Sequence, residues 1–153
     1  MTPTNLGSTT LFLLLSVTLA LLRTCPGPPT EGPHEKGGPV RARLGQEFNL
    51  RVGQQAAVEG MGFRIRFASV VNDSRCPTDV TCVWAGNAEV LIAAEASGSS
   101  ASLKLNTQGG DNFPNEGKHQ QYIVRLVGLS PHPRKNGEIK ATDYVATLMI
   151  RKE

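Results

Sequence analysis

The feature that most constrains this chain is a short alternation, Phe63-Arg64-Ile65-Arg66-Phe67, in which two arginines separate three large apolar side chains. Successive side chains of a strand point to opposite faces, so the run makes one dry face and one charged face. A helix would carry the two guanidinium groups on nearly opposite sides and leave no face free to bury. The segment therefore predicts a half-buried strand.

The same period recurs along the chain from about Arg43. Phe48, Leu50 and Val52 alternate with polar residues, and a weaker strand over Gln55–Val58 closes at Glu59-Gly60-Met61-Gly62, whose glycines suit a turn. In 87–96, Val90, Ile92 and Ala94 share one side, while Leu91 implies partial cover of the other. Gly98-Ser99-Ser100 turns the chain into 101–107, with Leu103 and Leu105 inward, and 108–120 reads as a polar loop. Tyr122, Val124 and Leu126 begin a strand that ends where Pro131-His132-Pro133 removes ladder donors. Asn136-Gly137 marks a turn, and Tyr144, Ala146, Leu148 and Ile150 form the last strand. Seven short strands and no helix predict an all-β domain over 43–153: a two-sheet antiparallel β-sandwich, immunoglobulin-like or Greek-key, or failing that a small barrel.

What precedes the domain reads differently. Residues 11–22 are LFLLLSVTLALL, an apolar run of signal-peptide length and too short to span a bilayer as a helix. No Lys or Arg precedes it, and no clean small-x-small cleavage site follows. Cys25 sits just past the run, placed like the cysteine of a bacterial lipoprotein, although Leu22-Arg23-Thr24 departs from a lipobox. Residues 1–25 are read as a signal peptide or lipoprotein signal with Cys25 the candidate lipidation site; the alternatives are an unmodified thiol and a retained anchor. In 26–39, Pro and Gly fill nine of fourteen positions, so 26–42 predicts a disordered linker that buries nothing and leaves His34 solvated. Removing 1–25 takes away one charge, Arg23, and moves the formal net charge from +3 to +2, without the clustered basic face that nucleic acid requires.

Cys76 and Cys82 flank Pro77 and Asp79 in a chain read as exported, which predicts a disulfide between them. Loop-closure entropy for so small a ring is worth about 2–2.5 kcal/mol. The rival reading, soft metal ligands completed by Asp73, Asp79 or a histidine, lacks the closer cysteine pairs or short-spaced histidines of a closed zinc site. Trp84, the only tryptophan, lies two residues past Cys82 and in an extended chain shares its face. That places it in the core against the disulfide, the alternative being an exposed binding role, and Gly86 then permits a bulge or close backbone approach.

Catalytic patterns are absent. Asp73, Ser74, His119 and His132 supply the residue types of a hydrolytic triad but lie in no nucleophile-elbow motif. Gly109-Gly110 lacks the lysine and helix of a phosphate loop, and Asp111-Asn112 lacks the spacing of a calcium loop. Asn72-Asp73-Ser74 is formally a glycosylation acceptor, relevant only in a eukaryotic host. No cofactor is implied. Two loops remain as candidate contact surfaces: 111–119, with Phe113 and His119, and 130–137, with His132 and Arg134. Their alternative reading is as solvated connections.

Over 73–90 the chain reads DSRCPTDVTCVWAGNAEV. This stretch resembles a group of small exported, lipoprotein-like bacterial proteins with a DSRCP…C.WAG core, and the likeness extends loosely to the Gly53 turn, the PHP stretch and DYVATLMI. The resemblance implies export and brings no activity, cofactor or catalytic residue. A weaker likeness, in expected architecture alone, is to small sandwich inhibitors of cysteine proteases, whose characteristic loop motifs this chain lacks. The expectation is an exported, non-enzymatic, monomeric β-sandwich, periplasmic, outer-membrane-attached or extracellular. It would bind an unidentified protein or envelope partner and no nucleic acid, with a possible membrane tether through an N-terminal lipid. The alternatives are a small secreted protease inhibitor and a metal-handling domain.

Overall fold

The computed structural model describes residues 38–153. The leader, Cys25 and His34 lie outside the described residues, as does the linker up to 37.

Among the described residues nine strands form two sheets. The first holds β1 (Val40–Ala42), β3 (Gln55–Val58), β4 (Phe63–Asp73), β5 (Ala88–Ala96) and β6 (Ser99–Asn106), in that order. The second holds β2 (Glu47–Arg51), β9 (Val145–Lys152), β8 (Tyr122–Ser130) and β7 (Glu116–His119). The alternation that defines β4 sends Phe63, Ile65 and Phe67 to full burial with Arg64 and Arg66 exposed. Val90, Ile92 and Leu105 join them from the first sheet, and Leu50, Val124, Leu126, Leu148 and Ile150 face them from the second. These interdigitating faces are the core of an all-β sandwich.

Four expectations need correction. Nine strands replace seven, because β1 and β7 carry too little apolar pattern to be read. Val40-Arg41-Ala42 falls inside the expected linker, yet Ala42 is buried; the folded part therefore begins before 43. Glu116-Gly117-Lys118-His119 falls inside the expected loop over 108–120, yet pairs with β8 from Glu116↔Arg125 to His119↔Tyr122. Finally, the sandwich is not wholly antiparallel, since β1 runs parallel to β3, with Val40 opposite Ala56.

Two register shifts in β4 and one in β8 mark β-bulges. Val71 and Val127 are unpaired residues at such shifts, which turns them outward and accounts for their exposure. Gly117 lies close against the first sheet: a Cβ there would come within 3.1 Å of Leu103 and Leu105, so a larger residue would require those leucines to shift.

Strand polarity separates the two ends of the domain. β4, β6 and β8 run towards one end, and β5, β7 and β9 run away from it. Three long connections, 74–87, 107–115 and 131–144, lie at that end beside the short 52–54 turn, the last of the three containing a 3-10 turn at Ala141–Asp143. At the opposite end the connections 59–62, 97–98 and 120–121 are tight turns. There Phe63 and Tyr122 stack with ring centroids 4.2 Å apart, and the Tyr122 hydroxyl donates to the Met61 carbonyl. One end is sealed by turns; the other is built of loops.

Candidate functional site: the loop end

The loop end is assembled from the inside outwards. The β4–β5 ladder continues past its last strand pair, with the Ser74 amide donating to the Asn87 carbonyl and the Cys76 amide to the Ala85 carbonyl. Gly86 makes this possible, because a Cβ there would sit 1.9 Å from the Ser74 carbonyl oxygen and its φ is +71°. Only glycine fits this close approach. Beyond it Cys76 and Cys82 form the expected disulfide, with Cα atoms 5.9 Å apart.

Beneath the loop lies a buried ion pair. The Asp73 and Arg75 side chains are 8 % and 6 % exposed. Arg75 Nε donates to Asp73 Oδ1 at 2.8 Å and Nη2 to Oδ2 at 2.6 Å, the two-pronged geometry that guanidinium and carboxylate share. Two further guanidinium N–H groups reach the end of β8 and the loop after it, Nη1 donating to the Leu129 carbonyl and Nη2 to the Pro131 carbonyl. The Tyr144 hydroxyl donates to Asp73 Oδ2 at 3.0 Å. One arginine thus joins the end of β4 to the end of β8, and Tyr144 ties the approach to β9 into the same network.

Burial by itself pushes the Asp73 carboxyl up, but the Arg75 hydrogen bonds and charge, with the Tyr144 hydroxyl, outweigh it and hold the group below the ordinary carboxylate range. The Tyr144 hydroxyl is pushed up, by burial first and then by its bond to the Asp73 carboxylate.

The 74–87 loop is the central of the three. It meets 131–144 where the Thr78 amide donates to the Pro133 carbonyl and the Lys135 amide to Asp79 Oδ1. It meets 107–115 through Asn87, whose Nδ2 donates to Asn106 Oδ1 while its own Oδ1 accepts from the Thr107 hydroxyl and the Gln108 amide. Among the described residues every buried side-chain polar atom has a partner. The loops therefore form one hydrogen-bonded platform.

Against this geometry the expected site residues divide. Phe113, 42 % exposed, and the exposed His132 and Arg134 all lie at the loop end; Arg134 also bridges to Gly137. His119 does not belong with them. It ends β7 at the tight-turn end, is buried, and its Nε2–H donates to the Ser99 carbonyl at 3.0 Å, so it is a structural residue and not a loop contact.

Trp84 is the larger correction. It is 81 % exposed and Val83 beside it 88 %, while no other exposed large apolar side chain among the described residues exceeds 52 %. Its face cannot be read by alternation, because Val83 and Trp84 lie in a bend outside any strand. The room beneath the loop is filled by Arg75, Asp73 and Tyr144. Sequence reading missed Arg75, Asn87 and Val83; the available signal for the first was Asp-x-Arg set directly against a disulfide cysteine.

The hydrolytic set is not assembled. Asp73 is committed to Arg75 and Tyr144, the Ser74 hydroxyl donates to the Asn87 carbonyl, and His119 lies at the far end of the sandwich. The described residues also hold no group of three or more His, Cys, Asp or Glu placed to bind a metal ion. A depression of about 360 Å³ lies at the β1–β2 corner, lined by Arg41, Arg43, Gln46, Glu47, Phe48 and Glu59, with both arginines 3.8 Å from the Glu59 carboxylate. It shares no residue with the loop end. Comparison with protein-family models, curated proteins and solved structures returned no match.

Two outcomes follow. Asp73→Asn breaks the buried pair and is expected to cost about 3–5 kcal/mol at neutral pH. Since the folded carboxyl titrates below its unfolded value, its contribution is present above pH 4 and is lost as pH falls through the folded pKa. Urea unfolding from pH 7 to pH 2 should therefore show a shallower acid loss in the variant than in the parent. Trp84→Ala should change stability by no more than about 0.5 kcal/mol, as a surface substitution does, whereas Phe67→Ala should cost about 3–5 kcal/mol as a core truncation; thermal unfolding separates the two.

Proposed function

We propose that this chain is an exported, non-enzymatic β-sandwich that binds an envelope partner through its loop end. The observation that carries the reading is the exposure of Val83 and Trp84 on a loop that is itself cross-linked and hydrogen-bonded to both neighbouring loops. An unpartnered tryptophan is a poor use of apolar surface in an isolated domain, and exposed aromatic anchors recur at the centres of interfaces. A rigid loop also lowers the entropy lost on association, so affinity is not spent on ordering it. Phe113 and the 131–144 loop with His132 and Arg134 extend the surface to either side. The export leader, the linker and the resemblance of 73–90 to exported lipoprotein-like proteins support an envelope location, periplasmic, outer-membrane-attached or extracellular, and the domain acts as a monomer.

The protease-inhibitor reading keeps one specific support: three loops stand side by side at a single end, the arrangement of a wedge that enters a cleft.

Affinity capture from envelope extract, with the chain as bait, tests both. The expected result is a partner whose recovery falls at least about tenfold for Trp84→Ala, the loss of one hot-spot aromatic, and is unchanged for Met61→Ala at the tight-turn end. Recovery of a protease inhibited by the parent and not by the variant would select the second reading. No partner whose recovery depends on Trp84 would count against the loop end as the binding surface.

A further inference from the structure

The polarity of β1 adds a fact about where the loop end points. β1 runs parallel to β3, and β3 runs antiparallel to β4, whose far end carries the loops. β1 therefore runs away from the loop end, and Val40 is its end nearer the loops. Val40 is level with Ile65 through Ala56. From there to Asp73 the paired strand β5 spans six residues, Ala94 to Ala88, roughly 20 Å. Residues 26–39, at about 3.1 Å per residue when extended, reach roughly 40 Å. A chain held in a membrane by its leader or by a lipid on Cys25 can thus bring the loop end to that same membrane.

The shape of the loop end fits such a surface. Val83 and Trp84 stand almost wholly in water at a protruding loop, and the depression at the β1–β2 corner shares no residue with them. A small ligand or peptide needs concave walls around it, whereas a bilayer interface closes round a convex apolar tip by itself. Tryptophan is the side chain suited to that depth, its ring among the acyl carbons and its N–H at the headgroups. Arg134, Lys135 and Lys140 lie in the adjoining loop, and Asp79, Asp111, Glu138 and Asp143 lie at the same end. With the charges near balance, attraction to anionic lipid is weak and the apolar pair supplies the contact.

We infer that the loop end docks on the membrane that anchors the chain, with Val83 and Trp84 inserted at the headgroup boundary of the lipid bilayer. The inference rests on the reading above that the chain is exported and that its loop end is the binding surface. A protein partner for the same tip is the competing outcome.

Trp84 is the only tryptophan, so its emission reports this contact even when the apolar run over 11–22 also holds the full chain to a vesicle. The experiment mixes the full chain with phosphatidylcholine vesicles, and with vesicles containing phosphatidylglycerol, with and without brominated acyl chains. Expected is a shift of Trp84 emission to shorter wavelength and quenching of roughly twofold by the brominated lipid, as for an indole at headgroup depth, nearly equal on both lipid compositions. Val83→Asp, at a position too exposed to affect folding, should abolish the shift and the quenching while the chain still sediments with the vesicles. Unshifted, unquenched emission from sedimented parent chain overturns the inference, as does quenching that Val83→Asp leaves intact. If the emission stays unshifted yet protein capture still depends on Trp84, the loop end remains the binding surface and its occupant is a protein.

Discussion

The ion pair between Asp73 and Arg75 is the interaction on which the loop end depends. A buried carboxylate and guanidinium each lose several kcal/mol of hydration, and the loss is made good only when geometry is close and every remaining donor is matched. Here the planar fork of Arg75 meets both carboxylate oxygens and still reaches two carbonyls across the sandwich, while Tyr144 completes the acceptor side. A lysine could not do this, having one point charge in place of a fork. The two sheets pack through their apolar faces along most of their length. At the loop end, where the strands run out and loops begin, polar groups continue the connection.

Everything outside the pair is arranged around it. The disulfide closes the loop one residue beyond Arg75, and the glycine-dependent approach of Gly86 to Ser74 lets the ladder continue far enough to hold the arginine in place. Asn87 and the Thr78 and Asp79 contacts then carry that order sideways into the neighbouring loops. With the interior of this end already filled by a satisfied polar network, a large apolar side chain on the loop has no cavity to enter. Trp84 and Val83 are outside for that reason. The exposed pair is thus a consequence of the same packing that makes the platform rigid, and rigidity is what a recognition surface gains from it.

Much of the fold was legible from alternation. The inward residues of β4, β5, β6, β8 and β9 follow from period two alone, because burial of one face of a pleated strand leaves that mark directly on the sequence. Val40-Arg41-Ala42 and Glu116-Gly117-Lys118-His119 escaped because edge strands so short take their pairing from a neighbour and carry little apolar signal of their own. His119 was read as a loop contact for the same reason. The disulfide was legible from spacing and compartment; the position of Trp84 was not, since alternation fails where the backbone turns. The burial of Arg75 is hidden because a charged residue is assigned to the surface unless its partners are seen, and the carbonyls it reaches, Leu129 and Pro131, lie more than fifty residues away.

The Asp73–Arg75 pair holds three loops as one ordered platform. Amide hydrogen exchange, resolved by residue in the folded protein, tests it most directly. The amides of Cys76, Thr78 and Lys135, which donate to Ala85, Pro133 and Asp79, should be protected in the parent, and Thr78 and Lys135 should lose protection in Arg75→Met while the centre of β5 keeps its own. Thr78 and Lys135 amides exchanging in the parent as freely as an unstructured loop would contradict it.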